Sequence, residues 1–308
     1  MAKQRGRKTK LIIAVGTVLV ILAAITLWAV LSDDSGSFDN TLGGIAGETP
    51  VREGLILTFL DVGQGDCIFA ECGGQTMLID AGEKAYEQTV SKFLNSRGIK
   101  TLDYVIATHP HSDHIGSLAY VIDTFGANHI LMPRIPAELI PTNVVYDEFL
   151  TAVSDSGAEV TAAEPGVTFT LGEAVVRVIA PVLKTAESLN DMSAVVTVTY
   201  GETSAILTGD ASFAEEMQII SSGANIDCDL MKLGHHGSAS ATSEEFIEKV
   251  SPRYCVISCG AGNDYGHPAD STLGRVSKYT DKIYRTDRCG TITASSDGKD
   301  FTFEWEKS

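Results

Sequence analysis

Three histidines and an aspartate are concentrated within six residues of this chain, in the segment HPHSDH. An apolar run that predicts a β-strand, residues 104–107, leads directly into the segment. In extended backbone, residues i and i+2 point the same way, so His109 and His111 can hold one cation. Asp113 and His114 then turn towards a second. The fold must therefore provide a strand end at which two metal ions can be bound.

Further candidate ligands lie later in the chain. Asp210 follows an apolar strand at residues 204–207, and a carboxylate at the carboxyl end of a strand can bridge two metal ions. Capping of the helix predicted near residue 213 is its alternative role. His235 and His236 are adjacent, so on a strand they would point in opposite directions, one to metal and one to substrate. The sequence does not decide which one binds metal.

Apolar and β-branched runs alternate with helical patterns along most of the chain. The predicted strands are 55–60, 68–70, 76–79, 104–107, 130–132, 175–179, 194–200, 204–207, 230–233 and 254–258. The predicted helices are 85–96, 117–125, 213–221 and 271–279, and a hairpin at 291–305 closes the chain. This order predicts two sheets with helices on their outer faces, an α/β fold of the four-layer αββα type. We count residues 55–308 as one domain.

The net charge of −17 is distributed unevenly. All five cations of the first ten residues precede an uncharged run at 11–31, which is long enough to span a bilayer as a helix. We therefore expect a basic cytoplasmic tail (1–10), a transmembrane signal anchor (11–31) and a flexible linker (32–54). The rest, with 18 cations and 40 anions, would face outward from the cell membrane at −22. Secretion after signal cleavage is the alternative.

The motifs resemble the metallo-β-lactamase-fold hydrolases, and within them the extracytoplasmic hydrolase domain of ComEC-type competence (DNA-uptake) proteins. The resemblance covers about residues 55–305 and rests on seven motifs in order. They are FLDVGQGD at 59–66, LIDAG at 78–82, HPHSDH at 109–114, NDMS at 190–193, LTGD at 207–210, HHGS at 235–238 and YGHP at 265–268. Any one of them is modest support, whereas seven in the same order are strong.

The resemblance implies a site for two divalent metal ions, usually zinc, with manganese or iron as alternatives. The implied ligands of the first ion are His109, His111 and Asp210. Those of the second are Asp113, His114, Asp210 and one of His235 and His236. Many members of the wider fold have a further histidine between the first motif and the bridging aspartate, and residues 190–193 contain none. The competence-type branch shares this lack, which leaves the first ion with three protein ligands and water.

Five more residues are predicted to surround the ligands. Asp61 and Asp80 would accept ring N–H bonds that orient the histidines, with turn capping beside glycine as the alternative. His267 would protonate a leaving group or hold a phosphate, unless it is only a loop histidine. Ser238 and Asn190 are assigned to substrate binding.

These assignments predict a membrane-anchored hydrolase, a phosphodiesterase or nuclease that uses a metal-bridging hydroxide, with Asp113, Asp210 and His267 as catalytic residues. The expected substrate is a nucleic acid, a nucleotide or a cell-wall phosphodiester. The acidic outer part disfavours a duplex lying across it, because that needs clustered Lys and Arg. The alternatives are hydrolysis of a lactone or β-lactam, and a non-catalytic metal-bound interaction domain. One spanning helix cannot form a channel, so DNA uptake would require a separate membrane partner.

Overall fold

Two mixed β-sheets form the centre of the computed structural model, which describes residues 53–183 and 186–307. The first sheet contains β1 (Leu55–Phe59), β2 (Ile68–Cys72), β3 (Gln75–Ile79), β4 (Leu102–Ile106), β5 (Ala127–Met132), β6 (Glu159–Ala162), β14 (Ile292–Ser296) and β15 (Phe301–Trp305). The second contains β7 (Thr168–Leu171), β8 (Ala174–Ala180), β9 (Val195–Tyr200), β10 (Thr203–Leu207), β11 (Leu230–Lys232), β12 (Tyr254–Ile257) and β13 (Ile283–Arg285). Their spatial orders are β15-β14-β1-β2-β3-β4-β5-β6 and β13-β12-β11-β10-β9-β8-β7.

Side chains alternate between two buried layers along the central strands. In β3, Met77 and Ile79 pack into the core between the sheets, whereas Leu78 packs into the outer core of the first sheet. In β10, Leu207 faces the central core and Ile206 the outer core of the second sheet. Because both faces are covered, these strands are apolar throughout rather than alternately polar.

Helices cover the outer face of each sheet. The helices are α1 (Glu87–Ser96), α2 (Ser112–Ile115), α3 (Leu118–Phe125), α4 (Val144–Asp155), α5 (Phe213–Ser222), α6 (Glu244–Val250), α7 (Asp270–Val276) and α8 (Thr286–Cys289). Buried residues of α1, α3 and α4 pack on the first sheet, and those of α5, α6 and α7 on the second. The predicted four-layer αββα arrangement is therefore confirmed.

The strand directions bring several loops to one edge of each sheet. Strands β3 to β6 run parallel to one another, as do β10 to β13, while the remaining pairs are antiparallel. In sheets of this kind, substrates and cofactors bind outside the carboxyl ends of the parallel strands. The candidate ligands lie in the segments after β4, β10 and β11, and Asp80 and His267 follow β3 and β12.

The structure contains three elements in a region where the sequence predicted none. No element was predicted in residues 133–174, where the structure has α4, β6 and β7. The signal for α4 was present, because Asn143 caps its first turn through Tyr146 N at 2.9 Å and the buried positions repeat at helical spacing. Strand β6 has no fully buried side chain, so no apolar run marked it.

The predicted transmembrane segment 11–31 and nearly all of the predicted linker lie outside the residues that the structure describes. Among the described residues, no helix has the length and hydropathy of a membrane span.

We predict that Phe149→Ala lowers the free energy of unfolding by about 3–5 kcal/mol, since it leaves a cavity under α4. Phe149 is buried in the outer core of the first sheet, and its neighbour Leu150 is 37% exposed. The matched variant Leu150→Ala should cost at most about 1 kcal/mol. Denaturant unfolding of both variants measures the difference, and equal losses would contradict the packing described for this helix.

Candidate metal centre

The candidate ligands and the neighbouring Asp80 lie where strands of both sheets end. Asp80 directly follows β3, and His109 comes shortly after β4. In the second sheet, Asp210 comes shortly after β10, and the turn that contains His235 and His236 follows β11. Residues far apart in the chain are therefore brought together because parallel strands end at the same edge.

The first group of ligand atoms belongs to His109, His111 and Asp210. His109 Nε2 lies 2.9 Å from His111 Nδ1 and 3.9 Å from Asp210 Oδ2. Burial and the nearby ring of His114 lower the pKa of His109 well below its usual value. The ring is therefore neutral, which is the form of histidine that binds metal.

The second group consists of Asp113, His114, His236 and again Asp210. His236 Nε2 lies 3.1 Å from Asp113 Oδ2 and 3.5 Å from Asp210 Oδ2. His114 Nε2 lies 3.3 Å from Asp210 Oδ1. Within each group the ligand atoms all lie within 4.8 Å of one another, a spacing that one metal ion could fill.

Asp210 connects the two groups. Its backbone N–H donates to Ser193 Oγ at 3.1 Å, which holds the residue at the end of its strand. Burial alone would raise the pKa of this carboxyl, but the rings of His236 and His114 hold it well below its usual value. Asp210 is therefore a buried carboxylate shared by both groups, as a bridging ligand must be.

The electrostatics of the cluster fit a cation. His114 Nε2 and Asp210 Oδ1 are buried and face each other, yet neither has a hydrogen-bond partner among the described residues. Burial opposes protonation of His114, but Asp210 and Asp80 raise its pKa well above the usual value. In the same way Asp210 and Asp113 raise the pKa of His236 to about 9 against the effect of burial. Protons on these rings compensate the carboxylates, and divalent cations would replace them.

The donor set is composed of imidazoles and carboxylates, which suits zinc, manganese or iron and does not select among them. No cysteine belongs to either group. All six cysteines are free thiols and five are buried. Burial raises the pKa of Cys255 to about 12 and that of Cys67 well above its usual value, so these thiols contribute packing rather than metal ligands.

Asp80 lies beside the ligands and orients one of them. Its carboxylate accepts hydrogen bonds from Thr108 N at 2.8 Å and from Thr108 Oγ1 at 2.6 Å. The same carboxylate lies 2.7 Å from His114 Nδ1. This contact fixes the ring of His114 so that its Nε2 faces Asp210.

Asp61, the other aspartate predicted to orient a histidine, has different partners and requires a correction. Its Oδ1 accepts from Gly63 N at 3.3 Å, and its Oδ2 pairs with Lys307 Nζ at 2.8 Å. No hydrogen bond or ion pair joins it to a histidine within the described ranges. The turn-capping alternative describes Asp61, because β1 ends beside the C-terminal segment rather than beside the ligands.

His235 and His236 lie in a 3-10 turn, Gly234–Gly237, and not on a strand as predicted. Their φ angles of 48° and 54° are left-handed, a conformation that is costly for residues other than glycine. The turn buries His236, whose Nδ1 lies 3.0 Å from the carbonyl oxygen of Ser258. The side chain of His235 is partly exposed, with Nε2 3.7 Å from Asp210 Oδ2. The structure therefore places His236 in the second group and His235 beside it.

A cleft of about 270 Å³ opens at the two groups. Its lining residues are Gln64, His111, Ser112, Asp113, Asp210, His235, His236, Tyr265 and His267. A larger hollow of about 510 Å³ lies over α1, α3 and α4 and contains none of the predicted site residues. Chemistry rather than size therefore identifies the smaller cleft as the candidate active site.

The two residues assigned to substrate binding differ in position. Asn190 Nδ2 lies 3.3 Å from His235 Nδ1, next to the cleft. Ser238 is not among the residues that line the cleft. Its hydroxyl lies 3.0 Å from Ser240 Oγ and accepts from Ser240 N at 3.3 Å. The hydroxyl therefore stabilises its own loop, and the assignment of Ser238 to substrate binding stays a prediction.

Asp66 and Lys232 were not predicted, yet both are buried beside the ligands. Lys232 Nζ forms an ion pair with Asp66 and donates to the carbonyl oxygen of Gly209 at 2.8 Å. Asp66 Oδ1 lies 3.4 Å from His236 Nδ1. Burial would raise the pKa of Asp66, but Lys232 and His236 lower it to about 2. A lysine inside the apolar run of β11 was the available signal, since buried lysines are rare unless paired.

Comparison with known proteins agrees with the geometry. The model of the metallo-beta-lactamase superfamily matches residues 60–261. ComE operon protein 3 of Bacillus subtilis (strain 168) is 30% identical over 251 residues, which cover 76% of this chain and 32% of that protein. Competence protein ComA of Neisseria gonorrhoeae is 29% identical over 248 residues, 79% of this chain and 32% of that protein. The chain spans about a third of the length of these curated relatives.

A solved structure shares the fold. CmlA, a diiron beta-hydroxylase from Streptomyces venezuelae, superposes with a TM-score of 0.54 at 16% sequence identity. The match covers 80% of this chain and 55% of that one. At this identity the likeness concerns the arrangement of sheets and helices and not the reaction.

We predict that Asp80→Asn weakens metal binding about ten-fold or more, because it disturbs the partner that orients His114. Asparagine keeps the size of the side chain and tolerates the left-handed backbone at this position, where φ is 56°. Asp61→Asn is the matched control and should bind metal like the parent protein. Competition with a chelator measures both affinities, and equal effects of the two substitutions would show that Asp80 has no special role.

We also predict that Lys232→Met destabilises the chelator-treated protein by about 3–5 kcal/mol, since it leaves the carboxylate of Asp66 buried without its cation. The control is Lys84→Met, because Lys84 forms an exposed ion pair with Glu148. That pair should contribute at most about 1 kcal/mol. Denaturant unfolding compares the variants, and a loss at Lys232 no larger than at Lys84 would refute the role given to the buried pair.

Proposed function

The chain belongs to the metallo-β-lactamase superfamily, and we propose that it is a phosphodiesterase of the competence-protein type that uses two divalent metal ions. The observation that carries the proposal is Asp210, a buried carboxylate shared by two groups of ligand atoms at the base of a cleft. A non-catalytic scaffold would have no need of such a bridge. Similarity to two competence proteins over more than three quarters of the chain supports the same reading.

The chain's own residues would hold the metal ions and leave room for substrate. When bound, two divalent ions supply Lewis acidity at a phosphoryl oxygen and lower the pKa of a water to about 7. His109, His111 and Asp210 would hold one ion, and Asp113, His114, His236 and Asp210 the other. The first set offers only three protein donors, so it retains an open position.

His267 would donate a hydrogen bond in the cleft. Gly260 N donates to Gln64 Oε1 at 3.1 Å, which orients the amide so that Gln64 Nε2 faces His267 Nδ1 at 3.5 Å. Burial and the nearby His235 lower the pKa of His267, so its ring is neutral. With Nδ1 accepting from Gln64, the proton resides on Nε2. That N–H group can donate a hydrogen bond to a phosphoryl oxygen. Protonation of a leaving oxygen would require the imidazolium form, which the lowered pKa disfavours, so phosphate binding is the better-supported of the two predicted roles.

The composition of the cleft favours a diester over a more highly charged substrate. None of its nine lining residues is Lys or Arg. A phosphomonoester or a long duplex brings additional negative charge that proteins compensate with such cations. A diester contributes one negative charge at the reacting phosphate, which the metal ions can compensate. We therefore propose a nucleotide, an unpaired nucleic-acid strand or a cell-wall phosphodiester as substrate.

We further propose that residues 11–31 anchor the chain in the cell membrane, with the hydrolase domain on the outer side. The run is uncharged and follows five cations, in agreement with the excess of positive charge on the cytoplasmic side of membrane spans. Secretion after cleavage is the alternative. A role in DNA uptake would require a separate channel protein in the membrane.

We predict that the purified full chain, loaded with zinc or manganese, hydrolyses bis(p-nitrophenyl) phosphate and that Asp210→Ala abolishes this activity. Loss of the shared carboxylate removes a ligand from both groups at once. Release of nitrophenolate measures the rate, and Asp61→Asn serves as the control that should retain it. Undiminished cleavage by Asp210→Ala, or turnover of a chromogenic cephalosporin without any phosphodiester, would refute the proposal.

A further inference from the structure

One aromatic side chain at the cleft is exposed to solvent. Tyr265 is 72% exposed, whereas every other lining residue is buried or half-buried. A large aromatic ring in water forgoes the free energy that burial would contribute. Its position at the mouth of the candidate active site indicates a contact that only substrate completes.

The loop that carries Tyr265 is held in place by several hydrogen bonds. Asn263 Oδ1 accepts from Tyr265 N at 3.1 Å and from His267 N at 3.0 Å. Asn263 Nδ2 donates to the carbonyl oxygens of Gly260 at 2.9 Å and of His267 at 2.6 Å. One asparagine therefore connects the loop across its width, and the exposed ring does not result from an unsupported chain.

The end of the loop is fixed against the histidine turn. Ala269 N donates to the carbonyl oxygen of Gly237 at 2.9 Å. Gly237 has φ +80°, and a Cβ there would lie 2.6 Å from Cβ of Pro268, so only glycine permits this approach. The loop and the turn that carries His235 and His236 are thus positioned together.

The ring of Tyr265 stacks on that of His267, with centroids 5.8 Å apart and an interplanar angle of 25°. The ring of His267 in turn lies 6.4 Å from that of His236 at an angle of 28°. Three roughly parallel aromatic rings therefore extend from the candidate ligand His236 to the rim of the cleft.

We infer that Tyr265 determines specificity by stacking on a planar ring of the substrate next to the reacting phosphate, as the base of an unpaired nucleotide would provide. This inference rests on the proposed phosphodiesterase function. With no Lys or Arg in the lining, affinity beyond the phosphate must come from uncharged contacts. Stacking on aromatic side chains is the sequence-tolerant way in which proteins bind single strands. Bases within a duplex are already stacked on their neighbours, so the Tyr265 ring would select unpaired bases.

The test compares two substrates on the metal-loaded full chain, a short oligothymidylate and an abasic deoxyribose-phosphate oligomer of equal length. We expect Tyr265→Ala to raise KM for the oligothymidylate about ten-fold with little change in kcat. KM for the abasic oligomer should not change. Tyr265→Phe keeps the ring and should behave like the parent, whereas Tyr265→Leu, apolar but not aromatic, should behave like Tyr265→Ala.

Trp305→Ala is the control, because Trp305 is also exposed but does not line the cleft. It should leave both KM values unchanged. Equal KM values for Tyr265→Ala and the parent on oligothymidylate, or equal increases on both substrates, would overturn the inference alone. Absence of Asp210-dependent cleavage of either oligomer and of bis(p-nitrophenyl) phosphate would overturn the proposed function, and this inference with it.

Discussion

The arrangement of residues at the strand ends of the two sheets depends on the compensation of buried negative charge. Asp66, Asp80 and Asp210 are all buried there, and isolated carboxylates in such a place would be very costly. Each lies beside a group that can carry positive charge: Lys232 for Asp66, His114 for Asp80, and both His114 and His236 for Asp210. The network explains why a lysine occupies an apolar strand. It also explains why a cluster with this donor set could hold cations.

The same edge contains strained backbone. Asp80, His235 and His236 have left-handed φ angles, and they are three of the five non-glycine residues with positive φ among those described. Each such residue costs on the order of 1–3 kcal/mol and persists only where its surroundings over-determine it. Here the buried strands β3 and β11 end directly beside these residues, so the sheets hold the loops in the geometry that the ligands require.

The distribution of charge limits what the cleft can recognise. The chain after its first ten residues carries −22, and no Lys or Arg lines the cleft. Under the proposed function, attraction of a phosphate would be local and would come from metal ions held by the ligand groups, and recognition of the rest of the substrate would use neutral groups. His267, Asn190 and Tyr265 are groups of that kind in or beside the cleft. A net negative charge of this size also opposes binding of a long polyanion along the protein.

The amino-acid sequence alone determined the layered α/β fold and most of the candidate ligand set. Periodic apolar runs identify strands that are buried on both faces, and the HPHSDH spacing places four ligands on one strand end and the helix that follows. Helix α4 was missed although its cap and its apolar spacing were present in the sequence, whereas the edge strand β6 shows the limit, because a strand without a buried side chain leaves only a weak local signal.

Only the tertiary structure decided among residues that local sequence makes equivalent. Asp61 and Asp80 both end a strand near a glycine, yet one faces Lys307 and the other His114. His235 and His236 are neighbours in the chain, and only the geometry of the turn makes His236 a buried member of the second ligand group and leaves His235 partly exposed beside it. The pairing of Asp113 with His236 joins residues 123 positions apart. Spacing along a chain constrains only neighbours, whereas such contacts depend on how two sheets pack and where their strands end.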